Sequence, residues 1–143
     1  MTLKQIKMKK ILAFGSFDKL HDGHRQFLTR AKALGTYLVV AVAPDAVIQS
    51  LKNHLPQNSA SQRIQTLKDS HLVDEVVLSD INSRSWNILK RVKPNIIALG
   101  FDQDDLRSSL EQHLEQTYPQ VETTDGNWQS NPKKPKIEVL EKY

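Results

Sequence analysis

The chain contains no cysteine. That excludes disulfides, thiolate zinc sites, iron–sulfur clusters and a cysteine nucleophile together. Long apolar runs are also missing. The longest, Tyr37–Ala43, stops at Pro44, far short of the roughly 18 residues needed to cross a bilayer, so no membrane partner is expected. The amino terminus, MTLKQIKMKK, is basic, but no apolar stretch with a small-residue cleavage site follows it. We therefore read no signal peptide and expect a cytoplasmic protein. Glycines number only five, and they form neither a P-loop nor a GxGxxG pattern, so those phosphate cradles are excluded as written. No internal repeat is visible.

What remains is the composition of one ordinary domain, 1–143. Its 143 residues are 38% apolar and 25% charged, enough for a packed core and a soluble surface. The net charge of +4 hides an asymmetry. Residues 1–100 hold 15 Lys and Arg against 7 Asp and Glu, and the last 43 hold 5 against 9. A positive body favours anionic partners: nucleotides, phosphorylated metabolites, nucleic acid or a membrane surface, among which composition does not choose. Lys4, Lys7, Lys9 and Lys10 form a basic extension over 1–8 and its border, with no interleaved aromatics. We read it as a solvated run and expect no nucleic-acid partner.

Hydropathy patterns predict strands alternating with helices. Lys10–Gly15 suits a buried strand, and His24–Leu34 has Phe27, Leu28, Ala31 and Leu34 at helical spacing with Gly35 as a stop. Tyr37–Ala43 is a second buried strand. Asp45 caps a short helix over Ala46–Leu51, and Ser59–Ser70 is a further helix. Val73–Leu78 is a strand, Ser83–Val92 a helix and Asn95–Leu99 another strand. Asp104–Tyr118 is amphipathic, with Leu106, Leu110 and Leu114 on one stripe. Residues 119–136 read as an irregular loop, and Ile137–Leu140 as a last strand. The alternation predicts an α/β fold with a parallel sheet covered on both faces, whose ligands sit beyond the carboxyl ends of the strands.

The chemistry concentrates in Gly15–Leu28, GSFDKLHDGHRQFL, where a strand hands over to a helix. Unpaired backbone N–H groups at a helix start make an anion site. Gly23 allows close approach of backbone and ligand. Two imidazoles there, His21 and His24, can donate to phosphate oxygens and stabilise charge developing on an attacked phosphorus.

GSFDKLHDGH resembles the GTFDxxHxGH signature of the cytidylyltransferase-like nucleotidyltransferase family. The resemblance runs from Lys10 to about Leu114 and takes in LVVAVAPD, SQR, VDEVVLSD and KPNIIALGFDQ, in order. It implies a Rossmann-like three-layer α/β/α fold with a parallel sheet of about five strands. It also implies a transfer in which an acceptor phosphate attacks the α-phosphorus of a nucleoside triphosphate and pyrophosphate leaves. Magnesium would accompany the triphosphate, with no metal held by the protein alone and no tightly bound cofactor.

On that pattern His21 and His24 are the catalytic pair, and Gly15, Ser16, Phe17, Asp18, Gly23 and Asp102 form the nucleotide-binding set. Asp45, Lys52 and Arg63 would meet the acceptor or phosphates. Plainer roles stand beside these: Asp18 bracing its loop, Asp45 and Asp102 capping helices, Lys52 and Arg63 as solvated surface residues. The stretch GFDQ is closer to the GPDQ segment of archaeal-type FAD synthases than to the GDDW segment of glycerol-3-phosphate cytidylyltransferase. That points to ATP and FMN, with CTP and a polyol phosphate as the alternative pair. A homodimer is what the resemblance suggests.

The family's second signature, a Ser/Thr-rich stretch such as ISTT near the carboxyl end, is not found; Thr123–Thr124 is followed by Asp125–Gly126. With Ile137–Leu140 as last strand, that motif would lie just beyond Tyr143. A nucleotide-binding domain without turnover is therefore a further alternative.

Overall fold

The computed structural model describes residues 8–80 and 85–141. Five parallel strands form the sheet: β1 (Lys10–Gly15), β2 (Tyr37–Val42), β3 (Glu75–Leu78), β4 (Ile96–Gly100) and β7 (Lys136–Leu140). Their order is β3-β2-β1-β4-β7. The chain therefore winds outward from β1 in one direction, then returns to lay β4 and β7 on the other side. In register, Ile11 lies opposite Leu38 and Ile96, and Ile97 opposite Ile137.

Alternation along the strands builds two cores. Leu12 and Phe14 of β1 join Val39, Ile97 and Leu99 beneath α4 (Asn87–Val92) and α5 (Asp104–Thr117). Ile11 and Ala13 face the other way, with Leu38, Val40 and Ala98, against α1 (Asp22–Lys32) and α3 (Ala60–Asp69). Period-two alternation explains why such apolar strands need cover on both faces. Each fully buried Leu or Ile contributes about 1.5–3 kcal/mol relative to exposure.

Helix starts follow the side chains available. Ser59 caps α3, and Gln62 returns a bond to the Ser59 backbone N–H, the reciprocal arrangement of a capping box. α1 begins at Asp22, ahead of the His24 start predicted by apolar spacing, because His21 takes the N-cap position. Helix α2 (Asp45–Lys52) starts one residue before the predicted range. Pro44 holds its N-cap position, so Asp45 is not the cap and its carboxylate is used elsewhere.

α4 begins at Asn87; the Ser83 and Arg84 end of the predicted helix lies outside the described residues, as do Lys4 and Lys7. The segment 119–136 contains order that its composition hides: β5 (Val121–Glu122) pairs antiparallel with β6 (Trp128–Gln129). Asp125 ties the connecting turn by accepting from Thr123 Oγ1, the Asn127 N–H and Asn127 Nδ2. Among the described residues no helix is long and apolar enough to cross a membrane.

Candidate active site

The winding reverses between β1 and β4, and the cleft beyond their carboxyl ends is where this topology places ligands. A cavity of about 580 Å³ opens there, within the range of small-molecule sites. Gly15, Ser16 and Phe17 reach it from the end of β1, His21, Gly23 and His24 from the start of α1, and Gly100 and Asp102 from the end of β4.

The turn from β1 into α1 is unusual. Phe17 and Lys19 both adopt left-handed backbone, with φ of 49° and 59°, a conformation that costs non-glycine residues about 1–2 kcal/mol each. Two contacts compensate. The Phe17 ring is buried, 4% exposed, and lies so close over Gly15 that a Cβ there would come within 2.6 Å of it. Asp18 accepts from the backbone N–H of Gln57 and Asn58 and from Asn58 Nδ2. Burial pushes the Asp18 carboxyl up, but those bonds outweigh it and hold its pKa below the ordinary value.

The spacing of the two histidines is that of a capping box. His21 Nδ1 accepts from the Gly23 N–H at 3.1 Å and the His24 N–H at 3.4 Å, while His24 Nδ1 accepts from the His21 N–H at 3.3 Å. A ring nitrogen that accepts carries no hydrogen, so this pattern assigns the ring proton to Nε2 in both. The rings stack with centroids 3.8 Å apart and 20° between planes, and His24 also meets Phe17 edge-on. Burial lowers the His24 pKa first, and the neighbouring His21 imidazole lowers it further. The Lys19 carbonyl and Asp102 only partly offset this. The result is a neutral imidazole at the positive end of a helix, with Nε2–H as its donor.

Arg63 does not reach the cleft, a correction to its reading as a ligand-gripping or solvated residue. It is 1% exposed, and each nitrogen of its guanidinium has a partner inside the protein: Nε donates to the Asn58 carbonyl at 3.0 Å, Nη1 to the Ser16 carbonyl at 2.8 Å and Nη2 to Asp45 Oδ1 at 2.6 Å. A buried guanidinium must be fully paired, and this one joins the β1–α1 turn, the start of α2 and the loop before α3. Asp45 and Asp18 do not line the cleft either: Asp45 holds Arg63, and Asp18 has the bracing role considered for it, holding the 57–58 backbone. Lys52, at the far end of α2, does line it.

Residues that sequence reasoning passed over complete the walls. Phe27 and Arg30 face the cleft; their three-residue steps from His24 put them on its helix face, a legible signal. Arg30 also donates to the Glu141 carbonyl, tying α1 to the end of β7. Gln103 accepts from the Gly100 N–H at 2.7 Å and donates to the Phe14 carbonyl at 3.1 Å, locking the ends of β4 and β1 together. Its presence in GFDQ was visible, but no local pattern announces a bond across 89 residues.

The cytidylyltransferase-like family model matches residues 12–138. A protein named FAD synthase from Thermococcus sibiricus is 44% identical over 108 residues, 76% of this chain and 73% of that one. FAD synthases from Pyrococcus horikoshii and Methanosarcina barkeri are 41% and 40% identical, over 71% and 75% of this chain and the same shares of their own. Among solved structures, a protein described as a lipopolysaccharide core biosynthesis protein from Thermoplasma volcanium superposes with a TM-score of 0.74 at 25% identity, covering 94% of this chain and 96% of that one. Pantoate-beta-alanine ligase from Francisella tularensis shares the fold alone, with a TM-score of 0.60 at 14% identity over 99% of this chain and 60% of its own.

Proposed function

Because the chain belongs to the cytidylyltransferase-like family, we propose that it is a nucleotidyltransferase that moves the adenylyl group of ATP onto FMN and releases pyrophosphate. The observation that carries the choice of substrates is the set of relatives named FAD synthase, at up to 44% identity over most of the chain. The cleft supports the class of reaction: two Nε2–H imidazoles beside the start of an eleven-residue helix, at the reversal point of a parallel sheet.

In this reading an FMN phosphate oxygen attacks the α-phosphorus of ATP. One P–O bond forms, the bond to the β-phosphate oxygen breaks, and pyrophosphate leaves with that electron pair. His21 and His24 donate from Nε2 to the α-phosphate oxygens as charge grows on them, and the backbone N–H groups at the start of α1 add to the field. No proton leaves either ring, and no covalent enzyme intermediate is needed. Catalysis then rests on positioning and preorganised electrostatics.

Lys52 supplies a cation across the cleft. Asp102, near enough to influence His24, faces the nucleotide. Magnesium arrives as part of the substrate MgATP, bound through phosphates and at most one or two carboxylates. Asp102 and Glu141 are the carboxylate residues lining the cleft.

The test is pyrophosphate release with MgATP plus FMN against MgCTP plus glycerol 3-phosphate. Release with the first pair, together with FAD formation, is expected. Release with the second pair only would make the protein a cytidylyltransferase. Stabilisation by MgATP without turnover would mark a nucleotide-binding domain; at about 100 times Kd a bound ligand adds roughly 2.7 kcal/mol, a readable shift.

A further inference from the structure

A second, smaller pocket of about 140 Å³ adjoins the cleft, with Phe14, Gly15, Ser16 and Gln103 as shared walls. Its body is apolar. Phe14 and Trp86 meet edge to face at 5.8 Å, Val47 comes from α2 and Leu106 from α5. The pocket exists because β2 and the residue after it present only alanine, at positions 41 and 43. Among the described residues, its polar side chains are Ser16, Ser79, Asp80 and Gln103. Two of these are engaged: Asp80 accepts the Ile88 N–H, and Gln103 bridges β1 and β4. An apolar space of about this size takes a benzene ring.

We infer that this pocket receives the dimethyl-substituted benzenoid edge of the acceptor's isoalloxazine ring, with Val47 and Trp86 as walls that select a flat apolar group. The inference rests on the proposed acceptor. It also makes that acceptor physically distinguishable, because a polyol phosphate is polar throughout and has no surface to bury here. Ser16 lies between pocket and cleft, so an acceptor seated in the pocket extends its phosphate past the β1–α1 turn toward the histidines. Burying two methyl groups at about 0.8 kcal/mol each corresponds to an affinity ratio of about tenfold.

Two measurements test this. The first is a flavin-fluorescence titration of the unaltered protein, in the presence of a non-hydrolysable MgATP analogue, with FMN and with an FMN analogue lacking both benzenoid methyl groups. FMN is expected to bind about tenfold more tightly. The second uses Val47→Phe, at a half-buried position of α2 where a larger ring projects into the pocket. FMN binding and the KM for FMN are expected to worsen about tenfold or more, the preference for methylated flavin to vanish, and the Kd for MgATP and the unfolding temperature to hold.

Equal affinity for both flavins, or unchanged FMN binding by a folded Val47→Phe, overturns the pocket assignment while leaving FAD formation standing. Absence of FMN binding, with turnover of CTP and glycerol 3-phosphate, overturns the assignment and the proposed reaction together.

Discussion

Two charged or titratable clusters engage the turn from β1 into α1, and they are built on opposite plans. The histidine pair uses Nδ1 of each ring to cap α1, which leaves Nε2–H as the donor of each. His21 is exposed and His24 half-buried, both on the wall of the cleft. Arg63 is buried, and each nitrogen of its guanidinium already has a partner in the protein. A side chain on the wall of a cleft can serve a ligand; one that is buried and bonded at every nitrogen holds other parts of the protein in place. Residue type alone does not distinguish them, since an arginine matched to a family position looks like a phosphate ligand on paper.

The contrast breaks first at the histidines. His24→Ala or His21→Ala is expected to cut pyrophosphate release with ATP and FMN by about a hundred- to a thousandfold, the usual loss for one preorganised donor to a developing oxyanion. Each also removes part of a helix cap, worth about 1 kcal/mol. His21→Asn separates the two roles, because asparagine caps well but has no Nε2–H at that reach. It is expected to unfold near the unaltered temperature and to turn over as poorly as His21→Ala. Full activity in His21→Asn would reduce His21 to a cap.

Arg63→Met is expected to do the reverse. Removing one partner from a buried ion pair costs about 3–5 kcal/mol, and the lower end applies because Asp45 is 40% exposed and regains water. The unfolding midpoint in urea should therefore drop sharply. The loss should appear as stability, and as a turn around Ser16 whose KM for nucleotide rises more than kcat falls. A variant of unaltered stability with lost activity would return Arg63 to the ligands.

Gly15→Ala has a smaller expected effect. The added Cβ meets the buried Phe17 ring at 2.6 Å, and forcing such a ring aside costs about 1–3 kcal/mol. Because Phe17 also packs edge-on against His24, the change should reach turnover as well as thermal stability. Stability and turnover both unchanged would show that the ring is free to move.

How legible this was depends on the range of the interaction. The strands and helices follow from residues within a dozen positions of each other, so Tyr37–Val42 and Asp104–Thr117 are placed to within a residue by their patterns alone. The histidine pair is equally local: its i, i+3 spacing is both the motif and the cap. The bond from Arg63 to Ser16 and the Gln103 bridge to Phe14 join residues 47 and 89 positions apart, and nothing in their neighbours marks them; sheet order is no more local. The hairpin over 121–129 escaped for another reason. Its turn is set by Asx-type bonds around Asp125, which composition reads only as a polar loop.

The subtlest expected difference is in pH dependence, and it sharpens the neutral state of His24. Its folded pKa lies below the ordinary imidazole value of 6.5, with burial the first cause. Between the lowered folded value and 6.5 the unfolded chain binds more protons than the folded one, so stability rises with pH across that interval. The contribution is complete above about 6.5 and is lost as pH falls through the folded value. The carboxylates held below their ordinary pKa, Asp18, Asp74 and Asp125, lose theirs only below about pH 4, outside this window. His24→Gln supplies the control, because glutamine at this position keeps the capping-box bond without titrating. Unfolding temperatures at pH 7.5 and 5.5 should fall more in the unaltered protein than in His24→Gln, and kcat/KM of the unaltered protein should decline over the same interval. Parallel falls in the two proteins would mean that acid acts elsewhere, and that the imidazole at the head of α1 is not held neutral by its surroundings.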